Sequence, residues 1–280
     1  MGTVNTADSS QEEVIRMMVG RELDHMFPQR QGHRKSPALE VKGLSGQGYA
    51  DISMTAFGGE ILGIYGLIGS GRSELARGIF GIEPPHHGEI RIEGKPVKTD
   101  FKPRRAIDEG LVYITEDRKQ DGLFLTMSIR ENVSAACLKD LSGAVFMNVE
   151  REYVLAGELM RRLRIKALGA QQKVEGLSGG NQQKVLFAKW LALKPKIVFA
   201  DEPTRGIDIG AKAEVHDLLR RLANDGAAVI MISSELPEII GMSDRIAVMR
   251  EGRLLDIVDY SEATEESIGT IALGSQRPQA

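Results

Sequence analysis

Gly66-Leu67-Ile68-Gly69-Ser70-Gly71-Arg72-Ser73 sets glycines and a terminal hydroxyl where the pattern G-x-x-x-x-G-K-[ST] has them, with Arg72 at the lysine position. Backbone N–H groups of such a loop converge on phosphate oxygens, and the start of the following helix adds a favourable field. Gly66, Gly69, Ser70, Gly71, Arg72, Ser73 and Glu74 are therefore the expected nucleotide-binding set, with the Ser73 hydroxyl on Mg²⁺. Arg72 can neutralise phosphate and grip it bidentately, but its planar fork is bulkier than an ammonium. Alone, the loop also reads as a glycine-rich turn with no ligand. In Ile197-Val198-Phe199-Ala200-Asp201-Glu202-Pro203-Thr204 an apolar run ends in two carboxylates. A buried strand would deliver them to its C-terminal end, where open α/β sheets bind ligands. Asp201 would hold Mg²⁺ through water, and Glu202 would orient or deprotonate an attacking water. Leu177-Ser178-Gly179-Gly180-Asn181-Gln182-Gln183-Lys184 opens a helix with a hydroxyl and backbone donors for an anion, or merely caps it.

The elements that must carry these residues alternate from Ala38 onward. Leu39 to Leu44 and Ala50 to Thr55 read as strands, with Gly58-Gly59 as a turn. Ile61 to Tyr65 enters the glycine loop, and Ser73 to Phe80 leaves it as a helix. Gly88 to Gly94 alternates like a half-buried strand. Leu111 to Ile114, Ile197 to Ala200 and Ala227 to Ile232 are apolar runs that fit a sheet buried on both faces. Ile246 to Met249 and Arg253 to Ile257 flank a hairpin signal at Glu251-Gly252. Val149 to Arg164 and Asn181 to Leu193 show helical spacing, so an α/β core with a helical insertion is expected. Before Ala38 the chain differs. Glu12 to Leu23 reads as a short helix, and Pro28 to Pro37 as a polar, basic linker. Glu12 to Gly20 echoes Glu265 to Gly274, either as the tail of a preceding homologous domain or as a chance likeness of two amphipathic helices.

Among 280 residues, 42% are hydrophobic and 27% charged, ordinary for a globular chain. The formal net charge of -3 argues against a strongly basic nucleic-acid binder. The single Cys137 excludes an internal disulfide, suits a reducing cytosol and reads as a small buried residue. No run approaches the roughly 18 apolar residues of a membrane span, and no secretory signal precedes the first acidic run, so a membrane role is expected through a partner.

These motifs carry a resemblance. From Ala38 to about Asp259 the chain is similar to the nucleotide-binding domain of ATP-binding cassette (ABC) transporters: LSGGN-QQK resembles the family signature, FADEPT its Walker B motif, and Gly206-Ile207-Asp208 the loop that follows. The resemblance implies an α/β fold, a RecA-like P-loop NTPase core with an antiparallel β subdomain and a helical insertion at about 116–194. It also implies ATP and Mg²⁺, held between one domain's phosphate loop and another's signature. Ser178, Gly179 and Gly180 are then nucleotide-binding residues in a head-to-tail pair. GLIGSGRSE, Tyr113 to Leu123, LSGGNQQKV, DEPTRGID and Ile232 to Glu238 are most similar to the second cassette of tandem ATP-binding subunits of bacterial ribose- and galactose-type importers. On that likeness residues 1–37 are the tail of a first cassette plus linker, and 38–280 are the cassette. The implied partners are that first cassette, or a second copy when isolated, a membrane permease, and indirectly a sugar-binding protein. The implied location is the cytoplasmic face of the inner membrane.

The chain departs from the family at Arg72, at Glu116, where a glutamine that senses Mg²⁺ is usual, and at Ser234, where a histidine holds the γ-phosphate and the attacking water. Glu116 repels a triphosphate unless Mg²⁺ or Arg118 offsets it. Ser234 donates one hydrogen bond but carries no charge. Glu202 and Ser234 are the expected catalytic pair, Ser73 and Asp201 the metal ligands, and Glu116 a nucleotide contact. Tyr49 is the nearby candidate to stack on adenine, or else a packed strand residue. Phe124, Leu125, Met127, Ile129, Val133 and Phe146 are candidates to meet the permease, with packing inside the helical part as the other reading; Glu131-Asn132 is given no role. Intact Glu202 and Ser178 beside three altered positions suggest a weak site here whose signature completes a competent site elsewhere. Two other functions remain open, a regulatory nucleotide-binding module and a soluble cassette ATPase acting on nucleic acid or ribosomes. The second is disfavoured by the acidic balance and the absence of long coiled-coil arms.

Overall fold

The computed structural model describes residues 27–30, 34–98, 100–142 and 148–274. Glu12 to Leu23 and Phe146 lie outside them. Among the described residues ten strands form two sheets. β1 (Pro37–Gly46), β2 (Tyr49–Phe57), β4 (His87–Ile92) and β5 (Lys95–Val97) make an antiparallel sheet in the order β2-β1-β4-β5. The larger sheet runs β10-β9-β3-β8-β7-β6, with β3 (Ile61–Gly66), β6 (Leu111–Ile114), β7 (Ile197–Asp201), β8 (Ala228–Ile232) and β9 (Arg245–Arg250) parallel. β10 (Arg253–Asp259) turns back on β9 across Glu251-Gly252, where φ is 48° and 75°, the sign a tight hairpin needs at both central positions.

Strand periodicity explains why the apolar runs are unbroken. Val198 and Ala200 of β7, with Val229 and Met231 of β8, face a core shared with the helices. Ile197 and Phe199, with Ile230 and Ile232, face a second core shared with the antiparallel sheet. A sheet covered on both faces needs apolar residues at every position.

Helix α1 (Arg72–Phe80) follows β3 directly, and α2 (Pro103–Asp108) precedes β6. Between β6 and β7 the described chain is helical: α3 (Ile129–Ser134), α4 (Leu138–Leu141), α5 (Val149–Arg162) and α6 (Gly179–Leu191). Ser128 and Glu131 form a capping box on α3, which gives that acid a local structural role. Asn132 is fully buried and bonds the N–H and the carbonyl of Phe124. Ile129, Val133 and Cys137 are core residues, whereas Phe124 and Met127 are exposed. α5 joins α3 through buried Glu152, which accepts from Ser134 at 2.6 Å and pairs with Arg130 at 3.1 Å. Trp190 of α6 stands edge-on to Phe80 of α1, ring centroids 6.1 Å apart, with Lys189 Nζ 5.2 Å from the indole. After β7 come α7 (Ile209–Asn224), α8 (Leu236–Met242) and the closing α9 (Glu265–Ala272).

Candidate functional site

The glycine loop is shaped by close approaches. A Cβ at Gly66 would lie 2.3 Å from the Met249 carbonyl oxygen, and one at Gly71, where φ is 90°, would lie 2.4 Å from that of Gly48. Only glycine fits at either position. α1 has no side-chain cap, so its first-turn N–H groups are left open toward the loop. Ser70 differs from the expectation of a direct contact. It is buried, its N–H is spent on the Leu67 carbonyl at 3.0 Å, and its carbonyl accepts from Gly252, so it builds the cradle from beneath.

The side chains expected to do chemistry converge on the ends of β7 and β8. Ser73 Oγ donates to Asp201 Oδ1 at 3.2 Å, and the Tyr113 hydroxyl donates to Asp201 Oδ2 at 2.7 Å. Ser234 Oγ donates to Glu202 Oε2 at 3.2 Å. Glu202 leaves the strand with φ 45°, a left-handed conformation that costs a non-glycine residue of order 1 kcal/mol. Its own N–H is tied to the Ile232 carbonyl at 2.9 Å. Arg72 Nη1 donates to the Ser233 carbonyl at 2.8 Å, so the guanidinium is drawn toward the two acids. Burial pushes both carboxyls above the ordinary carboxylate range; hydrogen bonds and the Arg72 charge pull back but do not win. Burial beside Asp201 also raises the Tyr113 phenol far above its usual value, so it stays a donor.

A cavity of about 500 Å³ opens beside this group, lined among others by Ser73, Tyr113, Glu116, Trp190 and Asp201. Glu116 is on its wall and pairs with Arg205. Arg118, one of the two groups named as able to offset Glu116, donates to the carbonyls of Arg205 at 2.9 Å and Gly206 at 3.1 Å. The physical reason is direction: the turn at 118–122 aims the guanidinium at the loop after β7. Glu74, in the first turn of α1, packs its stem against Gly48.

The signature residues sit apart from this cluster, at the start of α6. Ser178 is exposed and its Oγ accepts from the Asn181 amide at 2.9 Å. Gly179 and Gly180 make close approaches within the chain: a Cβ would meet Arg118 Nη2 at 3.0 Å and the Ala211 Cβ at 2.6 Å, respectively. Tyr49 is a packed strand residue, 4% exposed, its phenol pushed up to about 12 by burial and set against Gly46 and Gly78. It offers no face to an adenine ring.

Sequence reasoning missed the support behind the acids. Glu238 of α8 accepts from Thr204 Oγ1 at 2.7 Å and lies 2.6 Å from His216 Nε2, all three buried. Thr204 is two residues past Glu202, and Glu238 four past Ser234, so one carboxylate anchors both loops.

The model of the ABC transporter family matches residues 49–205. The chain is 46% identical over 276 residues to a putative ribose/galactose/methyl galactoside import ATP-binding protein of Burkholderia lata, covering 97% of this chain and 52% of that protein. It is 44% identical over 281 residues to the ribose import ATP-binding protein RbsA of Halalkalibacterium halodurans, covering 99% and 56%. The chain thus spans about half the length of the curated relatives it matches. Its fold superposes on a nucleotide-free ATP-binding cassette from an ABC transporter with a TM-score of 0.71 at 20% identity, over 86% of this chain and 96% of the other. Among the described residues no helix is long and apolar enough to cross a membrane.

Proposed function

Because this chain belongs to the ABC transporter family of ATP-binding cassettes, we propose that it is an ATP-binding and ATP-hydrolysing domain that powers import of a simple sugar. It serves there as the second of two cassettes, residues 38–280, behind a linker and tail at 1–37, with residues 116–194 as its helical part. The carrying observation is the convergence of Ser73, Asp201, Glu202 and Ser234 at the mouth of the glycine loop. Ser73 Oγ and Asp201 Oδ1, both hard oxygen donors 3.2 Å apart, are the groups that would hold Mg²⁺. Bound there, the ion supplies positive charge to phosphate oxygens. The chain's own groups do the rest. Loop N–H groups and Arg72 hold phosphate, Glu202 orients or takes a proton from water, and Ser234 fixes the Glu202 carboxylate.

Arg72 tied to Ser233 and Glu116 tied to Arg205 favour a weak site here, with exposed Ser178 and the start of α6 completing a competent site on the first cassette. In isolation a second copy stands in for that cassette. A membrane permease, which this cassette meets at the cytoplasmic face of the inner membrane, and, indirectly, a sugar-binding protein complete the assembly. The test is ATP turnover by this chain alone and joined to its upstream cassette. Slow turnover alone and fast turnover joined is the expected result. Rapid turnover alone, abolished by Arg72→Ala, overturns the weak-site reading, and failure to associate with a permease overturns the importer reading.

A further inference from the structure

Arg118 lies where three segments meet. It opens a five-residue turn, Arg118–Gly122, whose start is fixed by Asp117 accepting from the N–H groups of Lys119 at 2.9 Å and Gln120 at 3.0 Å. The far end of the turn is clamped to α6. Lys189 Nζ donates to the Gly122 carbonyl at 2.9 Å, and a Cβ at Gly122 would come within 3.1 Å of Leu186. From this base the guanidinium sends one N–H to each of two successive carbonyls, Arg205 and Gly206, in the loop after Glu202. Gly179, the first residue of α6, lies tight against the same guanidinium: a Cβ there would come 3.0 Å from Arg118 Nη2 and 3.2 Å from the Gly206 carbonyl oxygen. Two residues after Gly206, Asp208 caps α7 by accepting from the Ala211 N–H at 2.9 Å, and Ala211 packs under Gly180. The contacts close a ring: α6, turn, loop after β7, α7, and back to α6.

We propose that Arg118 is a positioning residue that sets the separation between the signature at Ser178–Gly180 and the loop at 205–208, so that both present one surface to an apposed cassette. A planar fork is needed because two carbonyls are engaged by one head group; an ammonium can satisfy them only in a looser geometry. The Glu116–Arg205 pair also joins these segments, but it is a single exposed, screened ion pair, whereas Arg118 engages two carbonyls and lies tight against Gly179 as well, so Arg118 is the principal strut. The role at the ATP site rests on the functional reading above.

The test has two arms. In the isolated chain, Arg118→Ala should speed amide exchange at least about tenfold in both 203–208 and 179–183, the loss of two charge-assisted bonds, with exchange in β3 and β8 unchanged. In the full-length tandem protein the same change should lower kcat about tenfold or more and leave KM for ATP within about twofold. Arg118→Lys, which keeps stem and charge, should fold in either case and recover only part of both effects. Exchange at wild-type rates in both segments for Ala and Lys overturns the proposal. A tandem protein with no turnover even as wild type would count against the functional reading alone, and the exchange arm would still decide the role of Arg118.

Discussion

Asp201 ends β7 and Glu238 sits in α8; both carboxylates are buried, and their proton affinities are displaced in opposite directions. Burial works upward on each. At Asp201 it wins, although Tyr113 and Ser73 donate to the carboxylate and Arg72 is near. At Glu238 the bonds from His216 and Thr204 and the His216 charge outweigh it, and the carboxyl is held below its ordinary range. The difference separates two purposes. Glu238 takes its bonds from Thr204 and His216 on one oxygen, Oε1, and has the imidazole of His216 beside it as counter-charge, while its buried Oε2 has no hydrogen-bond partner among the described residues. Asp201 is left short of positive charge, as suits an acid whose compensation arrives with a bound cation.

Removing Glu238 should cost most. Glu238→Ala strands Thr204 and His216 in the interior, an expected loss of about 2–4 kcal/mol in urea unfolding. If the loss is under about 0.5 kcal/mol, a surface-like value, the contrast with Asp201 collapses. Next is Arg72→Ala, which takes away the nearest counter-charge of Asp201 and Glu202 and should weaken ATP binding about tenfold, measured by titration with a fluorescent analogue. Asp201→Asn should instead raise the melting temperature at neutral pH while turnover falls. For a raised folded-state pKa the acid's contribution is complete below the unfolded value near 3.8 and is lost as pH climbs. The gap between Asn and Asp proteins should therefore widen as pH rises from about 3.8 through the raised folded-state pKa and hold constant above it. Glu238 has the reverse sign: its contribution is present above the carboxylate range and lost as pH falls through its lowered folded pKa. Smallest is Ser234→Ala. That side chain is exposed, so stability should move by less than about 0.5 kcal/mol, and any turnover change would report Glu202 orientation alone.

Much of the scaffold was legible because it repeats a local rule. β6, β7 and β8 announce themselves as apolar runs, and the hairpin at Glu251-Gly252 by its turn pair. The loop glycines were legible because backbone approach to phosphate and to neighbouring chain demand the same residue. The unread parts depend on side chains far apart in sequence. Glu238 and His216 are 22 residues apart, and each looks like one polar residue on a helix with a solvent face. Arg118 was named beside Mg²⁺ as one of two groups that could offset Glu116, whereas its partners are carbonyls 87 and 88 residues on. Gly179 and Gly180 read as anion donors; that they also let α6 settle against Arg118 and Ala211 could not be seen without the packing.

Trp190 carries a practical consequence. The chain has one tryptophan, so its intrinsic emission comes from a single place. That place is the wall of the cavity beside Ser73 and Asp201, with the ammonium of Lys189 over the indole and Phe80, near the end of α1, against its edge. Indole fluorescence is shifted by nearby charge and quenched by nearby ammonium groups. The unmodified protein thus contains a single optical reporter, placed on the helix that carries the signature and at the wall of the cavity beside Ser73 and Asp201.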